Sequence, residues 1–581
     1  MRSLFYLNKY LIKYKSKLLL GFLFVISSNV FSLFPAKFIG DSFRIIEEFI
    51  GNPELIIDNS GKQELFYIVL LIFFSVTAKG FFMFLMRQTI IVVSRKIEYD
   101  LKNEIYNHYQ SLSMDFFKKN KTGDILNRIS EDVTKVRMYL GPAILYSLNL
   151  ICLLLFVIFR MFYISPELTF WVLLPLPVLS FLIYKISSAI NKNSELVQIK
   201  LADLTNLTQQ LISSIKIIKS FNSQKKSLNQ FNLKSDIYVQ NQIELIKVNS
   251  LFFPLMILLV GASSLLTIFF GKKLVVIGLI DIGTIAEFII YVNMLTWPVT
   301  SVGWVTSIVQ TAAASQKRIN EFMSIQTNMK SGGVFKNKIL GNIVFSEVSF
   351  EYEKYKALNK INFSIKKGEF LGVIGGVGSG KSTILQLICR FLDSKSGSII
   401  IDNESIENYN INNLRKNISY VPQESFLFSD SIRNNLLFGN PKASEKDLKI
   451  ILDVVCITKE VSKFKSGIDT FIGERGVTLS GGQKQRLNIA RALLKDSNII
   501  LIDDALSNID VENEKKILSN IYSYKNLKTV IIVSNRISTI SSCDQIIVLD
   551  NGNLVQKGTH NELLNVNGYY KKIHDIQNKT I

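Results

Sequence analysis

The stretch Phe370-Leu371-Gly372-Val373-Ile374-Gly375-Gly376-Val377-Gly378-Ser379-Gly380-Lys381-Ser382-Thr383 decides how the second half of this 581-residue chain folds. Five apolar or small residues run into a glycine-rich turn, and an apolar helix pattern, Ile384-Leu385-Gln386-Leu387-Ile388, follows directly. A strand, a phosphate-cradling turn and a helix in that order make a P-loop. Glycines let backbone N–H groups turn toward an anion, and the helix N-terminus adds a favourable dipole. In this pattern Gly375 to Thr383 surround the phosphates, Lys381 reaches the β- and γ-phosphates, and Ser382 is a ligand for Mg²⁺. An α/β nucleotide-binding fold is therefore expected.

Outward from the loop, the pattern needs a carboxylate for the cation. Ile499-Ile500-Leu501-Ile502-Asp503-Asp504 supplies a buried apolar strand ending in acid, which places Asp503 beside the P-loop. Leu479-Ser480-Gly481-Gly482-Gln483 then opens the helical run Leu487–Leu494. Together these segments resemble the ATP-binding-cassette superfamily, whose most specific mark is that five-residue signature. The resemblance implies ATP and Mg²⁺ as cofactors and a second half-transporter as partner. It also implies that Leu479 to Gln483 cap the γ-phosphate of ATP held by the opposite cassette.

Further roles follow from the same resemblance. Tyr352 matches the aromatic that stacks on adenine, with Tyr355 as a possible substitute. Gln423, in Tyr420-Val421-Pro422-Gln423, matches the glutamine that senses Mg²⁺ and the attacking water, so Ser382, Gln423 and Asp503 form the expected metal set. Gly473-Glu474-Arg475-Gly476 is similar to an exporter motif, and Ser507-Asn508-Ile509-Asp510 to a loop that crosses the dimer. Phe116-Phe117 through Asp132, and residues near 205–222, look like the two cytoplasmic coupling segments.

The catalytic positions depart from the pattern. The usual glutamate after the Mg²⁺ aspartate is Asp504, and the usual switch histidine is Asn535 in Ile532-Val533-Ser534-Asn535-Arg536. Aspartate is one methylene shorter, and a displacement of about an ångström can cost on the order of a hundredfold in rate. Asn535 donates a hydrogen bond but has no proton-shuttling ring. With Gln423, these two make the catalytic set. Two changes at one site, with every phosphate-holding residue kept, imply a site that binds ATP and hydrolyses it slowly. Degenerate-site subunits of bacterial heterodimeric exporters look like this. A slow homodimeric lipid flippase and an ATP-gated or regulatory membrane subunit are the alternatives.

Before about residue 310 the composition changes. Six apolar runs, 18–40, 66–86, 139–163, 167–187, 251–276 and 283–309, each have the roughly 20 residues that a spanning helix needs. The whole chain is thus expected to be an all-α six-helix transmembrane domain (1–325), a linker (326–341) and an α/β P-loop ATP-binding-cassette domain (342–581). Arg2, Lys9, Lys13, Lys15 and Lys17 precede the first run without an acid, whereas the next connection is acidic. By the positive-inside rule the N-terminus is cytoplasmic, and six crossings return the cassette to the same side of the cytoplasmic membrane.

The net charge of +20 comes from scattered lysines, a basic cytoplasmic surface and not a nucleic-acid patch. The four cysteines show no ligand or disulfide spacing. No cleavable signal is read, because the first apolar run continues past any small-residue cleavage site. Lys79 lies near the middle of the second span. Arg160 and Glu287 lie nearer the ends of theirs, where long side chains can snorkel. Aromatic-rich spans suit a hydrophobic or amphipathic cargo (drug, lipid or peptide) and lipid contact equally.

Overall fold

The computed structural model describes residues 2–51, 60–326, 339–352, 355–524 and 528–579, which form two compact units. One comprises Met1–Gln110 and Lys121–Ile325, the other Ser111–Asn120 and Gln326–Ile581. Most of the expected linker lies outside the described residues.

Among its described residues the first unit has helices and no strand, as apolar backbone must when water is absent, because a helix satisfies its own N–H and C=O groups. Among the described residues, five helices are long and apolar enough to cross a membrane: Lys15–Phe49, Gln63–Ser111, Thr122–Ile164, Gln224–Val276 and Ile282–Met323. Four of them extend well past the apolar runs, so the polar connections continue as helix. The expected fourth span, 167–187, is divided between the helices Pro166–Leu173 and Pro175–Ser213. Pro175 and Pro177 explain the break, since neither can donate a backbone hydrogen bond to the preceding turn. A five-residue π turn, Tyr139–Ala143, likewise absorbs Pro142 within the third long helix.

Small residues set one close helix crossing. A Cβ on Gly283 would lie 2.1 Å from the Gly40 carbonyl oxygen. Glycine at both positions lets the two backbones touch, as packing between apolar helices requires. Arg160 and Glu287 do not depend on snorkelling. The Arg160 Nε lies 3.4 Å from Glu287 Oε1, and the Tyr291 hydroxyl donates to that same oxygen at 2.7 Å. Glu287 is fully buried, so a partnered charge is what makes its position tolerable.

The described residues of the second unit form ten strands: β1 (Ile343–Tyr352), β2 (Tyr355–Ile365), β3 (Phe370–Gly375), β4 (Ser396–Ile401), β5 (Glu404–Ser405), β6 (Ile418–Val421), β7 (Ile499–Asp503), β8 (Thr529–Val533), β9 (Gln545–Asp550) and β10 (Asn553–Gly558). An antiparallel sheet has the order β2-β1-β4-β5, and a second sheet the order β10-β9-β3-β8-β7-β6. In the second sheet β6, β7, β8, β3 and β9 pair in parallel. Every residue of β3, β7 and β8 is buried, which accounts for their unbroken apolar sequences. Because these strands are parallel, their C-terminal ends lie along one edge. That edge receives the P-loop after β3, Asn535 after β8, Asp503 and Asp504 at the end of β7, and Gln423 after β6.

Candidate functional site

At that edge lies a cavity of about 260 Å³. Its walls include Tyr352, Tyr355, Val377 to Thr383, Gln423, Asp503, Asp504 and Asn535. Residues spread over nearly 200 positions of sequence thus converge on one volume.

The P-loop glycines are fixed by geometry. Gly378 and Gly380 adopt φ of +78° and +97°, a region that L side chains rarely enter. A Cβ on Gly380 would sit 2.4 Å from the Ala357 carbonyl oxygen. Gly375 and Gly376 do not line the cavity; their carbonyls accept the Lys381 ammonium at 2.9 and 2.7 Å. Burial lowers the Lys381 pKa, while the carboxylates of Asp504 and Asp503 pull it back up. Ser379 is buried and its hydroxyl has no hydrogen-bond partner among the described residues. An unsatisfied donor within the glycine-rich turn fits an anionic ligand.

Ser382 Oγ donates to Asp503 Oδ1 at 2.8 Å, and the Tyr420 hydroxyl donates to Asp503 Oδ2 at 3.0 Å. Burial raises the Asp503 pKa, and the two hydroxyl donors partly offset it. A hydroxyl and a carboxylate already within 3 Å of each other can close on one small divalent cation, the remaining ligands coming from phosphate and water.

Asp504 stands at φ +46°, a left-handed position that aspartate tolerates better than most residues, with its N–H bonded to the Val533 carbonyl at 2.9 Å. Asn535 Nδ2 donates to Asp504 Oδ2 at 3.2 Å. Burial raises the Asp504 pKa, and a hydrogen bond from the Asn535 backbone N–H opposes the shift. The two atypical residues are therefore direct partners. Tyr355 donates to the Gly378 carbonyl at 2.6 Å, whereas the Tyr352 hydroxyl lies 3.3 Å from Gln386 Oε1 and 3.4 Å from Thr383 Oγ1. Both tyrosines edge the cavity, and Tyr352 also has the Lys118 ammonium 5.3 Å from its ring.

Leu479, Ser480, Gly481, Gly482 and Gln483 do not line this cavity. Ser480 caps the helix Gly481–Leu494 through a reciprocal box with Gln483, and its side chain is exposed. Asn508 N–H donates to Gln485 Oε1 at 3.0 Å, which ties the loop after β7 to the signature helix.

Arg536 braces the same loop. It donates to the Ser507 carbonyl at 2.8 Å and pairs with buried Glu514 at 3.0 Å, which also accepts from Thr539. Tyr420, Glu514 and Thr539 carry no motif signal of their own. Only the folded sheet shows that they hold Asp503 and the neighbouring loop in place.

A family model described as the ABC transporter transmembrane region matches residues 18–299, and one described as ABC transporter matches 358–507. The probable multidrug resistance ABC transporter ATP-binding/permease protein YheI of Bacillus subtilis (strain 168) is 33% identical over 562 residues, 95% of this chain and 94% of its own. This chain belongs to the ABC transporter family. An ATP-dependent lipid A-core flippase of Pseudomonas savastanoi pv. phaseolicola (strain 1448A / Race 6) is 30% identical over 510 residues, 87% of this chain and 85% of the flippase. The solved structure of a bacterial Atm1-family ABC exporter with ATP bound covers 98% of this chain and 99% of its own, with a TM-score of 0.76 and 22% identity, a likeness of fold alone. This ABC transporter is thus a multi-pass membrane protein that binds ATP with Mg²⁺ and uses its hydrolysis to drive export.

Proposed function

We propose that this ABC transporter is one half of a heterodimer, and that its own nucleotide site holds ATP while its signature serves the faster site of the partner. The observation that carries this reading is the Asn535–Asp504 hydrogen bond. A general base must be free to take a proton from the attacking water. Here the carboxylate is one methylene short of the usual glutamate and is held by an amide that cannot relay a proton. In contrast, Lys381, Ser382 and Asp503 keep every group that phosphate and cation require. Bound Mg²⁺ would neutralise phosphate charge between Ser382 and Asp503, and Gln423 would orient water at the same edge.

Purified alone, the full-length chain should bind ATP–Mg²⁺ and turn it over far below the typical enzyme rate of about 10 s⁻¹. Turnover near that value would refute the slow site. The cargo is a hydrophobic or amphipathic molecule moved outward across the cytoplasmic membrane.

The basic flank before the first span supports a cytoplasmic N-terminus. In a background without native cysteines, Glu167→Cys should react in intact cells with an impermeant thiol reagent and Lys121→Cys should not. The opposite labelling would reverse the orientation.

A further inference from the structure

Four long helices of the membrane unit enclose a second cavity, of about 340 Å³, and its chemistry is one-sided. Lys79 and Arg87 line it, and none of the described residues that line it is acidic. Neither cation forms an ion pair or a side-chain hydrogen bond among the described residues. Eight positions apart on continuous helix, they share a face about 12 Å in length.

The contrast with Arg160 is informative. There the protein supplies its own counter-charge, Glu287, on a neighbouring helix. At Lys79 the described residues supply none, which leaves the site open to a counter-charge brought by a ligand.

The neutral polar groups point the same way. Asn29 spends its amide N–H₂ on the Val25 carbonyl at 2.8 Å and on Asn149 Oδ1 at 2.9 Å. The Asn149 acceptor is thereby used, and its own N–H₂ is left as a donor without a partner among the described residues. Two cations and a free amide donor make a site for an anion.

Beside it lies an apolar groove of about 630 Å³ along the helix Phe252–Val276. The two spaces share Asn293 and Trp297. A donor-rich chamber and an apolar groove that share a tryptophan in their walls have the form of a head site beside a tail site.

We infer that this pair of spaces binds an amphiphile with an anionic headgroup, the charge at Lys79 and Arg87 and the apolar tail beyond Trp297. This inference deepens the proposed export reading by naming a cargo class, and it rests on that reading only for the direction of movement.

The test is calorimetric titration of the full-length chain in phosphatidylcholine nanodiscs, with empty discs subtracted. The probes are lauroyl lysophosphatidylglycerol, lauroyl lysophosphatidylcholine and tail-less glycerol phosphate. The anionic lysolipid should bind at least about tenfold more tightly than the zwitterionic one or the tail-less headgroup. Lys79→Gln should remove about tenfold of that affinity and leave the zwitterion unchanged, while Lys79→Arg retains it.

Removing an uncompensated charge from a membrane helix does not hinder insertion, and unchanged binding of the zwitterionic lysolipid shows that the membrane unit of each variant is folded. Anion binding at the P-loop would be indifferent to Lys79. Equal binding of the two lysolipids, equal binding of glycerol phosphate, or a Lys79→Gln chain with undiminished affinity would each overturn the inference. No partner subunit and no transport enters the assay. Failure here leaves export standing, and inward transport would leave this binding preference standing.

Discussion

Replacing Ser480 by Phe should reduce the steady-state ATPase activity of the reconstituted pair to about a hundredth or less, the loss expected when a preorganised anion donor is removed from a transition state. Ser480 opens the helix Gly481–Leu494, where unpaired backbone N–H groups and the helix dipole face any anion brought to them. In the proposed pair that anion is the γ-phosphate on the partner's P-loop, and a phenyl ring fills the space it must enter. Ser480 also caps its own helix through Gln483, and losing a cap costs about 1 kcal/mol. Ser480→Asp separates the two effects. Aspartate caps as well as serine, yet it sets a negative charge against the phosphate. If Ser480→Asp is folded and as inactive as Ser480→Phe, phosphate docking is the cause. An active Ser480→Asp pair would assign the loss to helix stability instead.

Lys381→Ala should weaken ATP–Mg²⁺ binding to the isolated chain by about a hundredfold, or roughly 3 kcal/mol, the range for removing one partner of a buried charge pair. The ammonium now lies on the carbonyls of Gly375 and Gly376 within a half-buried turn. Phosphate oxygens would replace those neutral acceptors with charged ones, and charge-assisted bonds are about twice as strong. Equilibrium binding of a fluorescent ATP analogue reads this directly. Unaltered affinity would mean that backbone N–H groups and the cation hold the phosphates without help from the ammonium.

The legible parts of the site are those that a local pattern must contain. Gly378 and Gly380 are required by backbone angles, Lys381 and Ser382 by phosphate and cation, and Asp503 by a strand that has to end in acid. Parallel strand order then carries Gln423, Asp504 and Asn535 to the same edge. What one stretch of sequence does not disclose is side-chain partnership across the fold. The Tyr420–Asp503 bond, the Arg536–Glu514–Thr539 brace and the Arg160–Glu287 pair each join residues whose spacing is arbitrary. The membrane half shows the same limit. Apolar length foretold helices, but hydropathy averages over Pro175 and Pro177, and the break at Leu174 is a property of backbone donors.

The most direct measurement is the steady-state ATPase rate of the reconstituted pair carrying Asp504→Asn. The substitution removes the carboxylate that follows the cation ligand Asp503 and leaves the Asn535 neighbourhood nearly isosteric. If the site mainly holds ATP, the rate should stay within about twofold of the unmodified pair, a change in barrier below 0.5 kcal/mol. A loss as deep as that of Ser480→Phe would contradict the account and identify Asp504 as a working base.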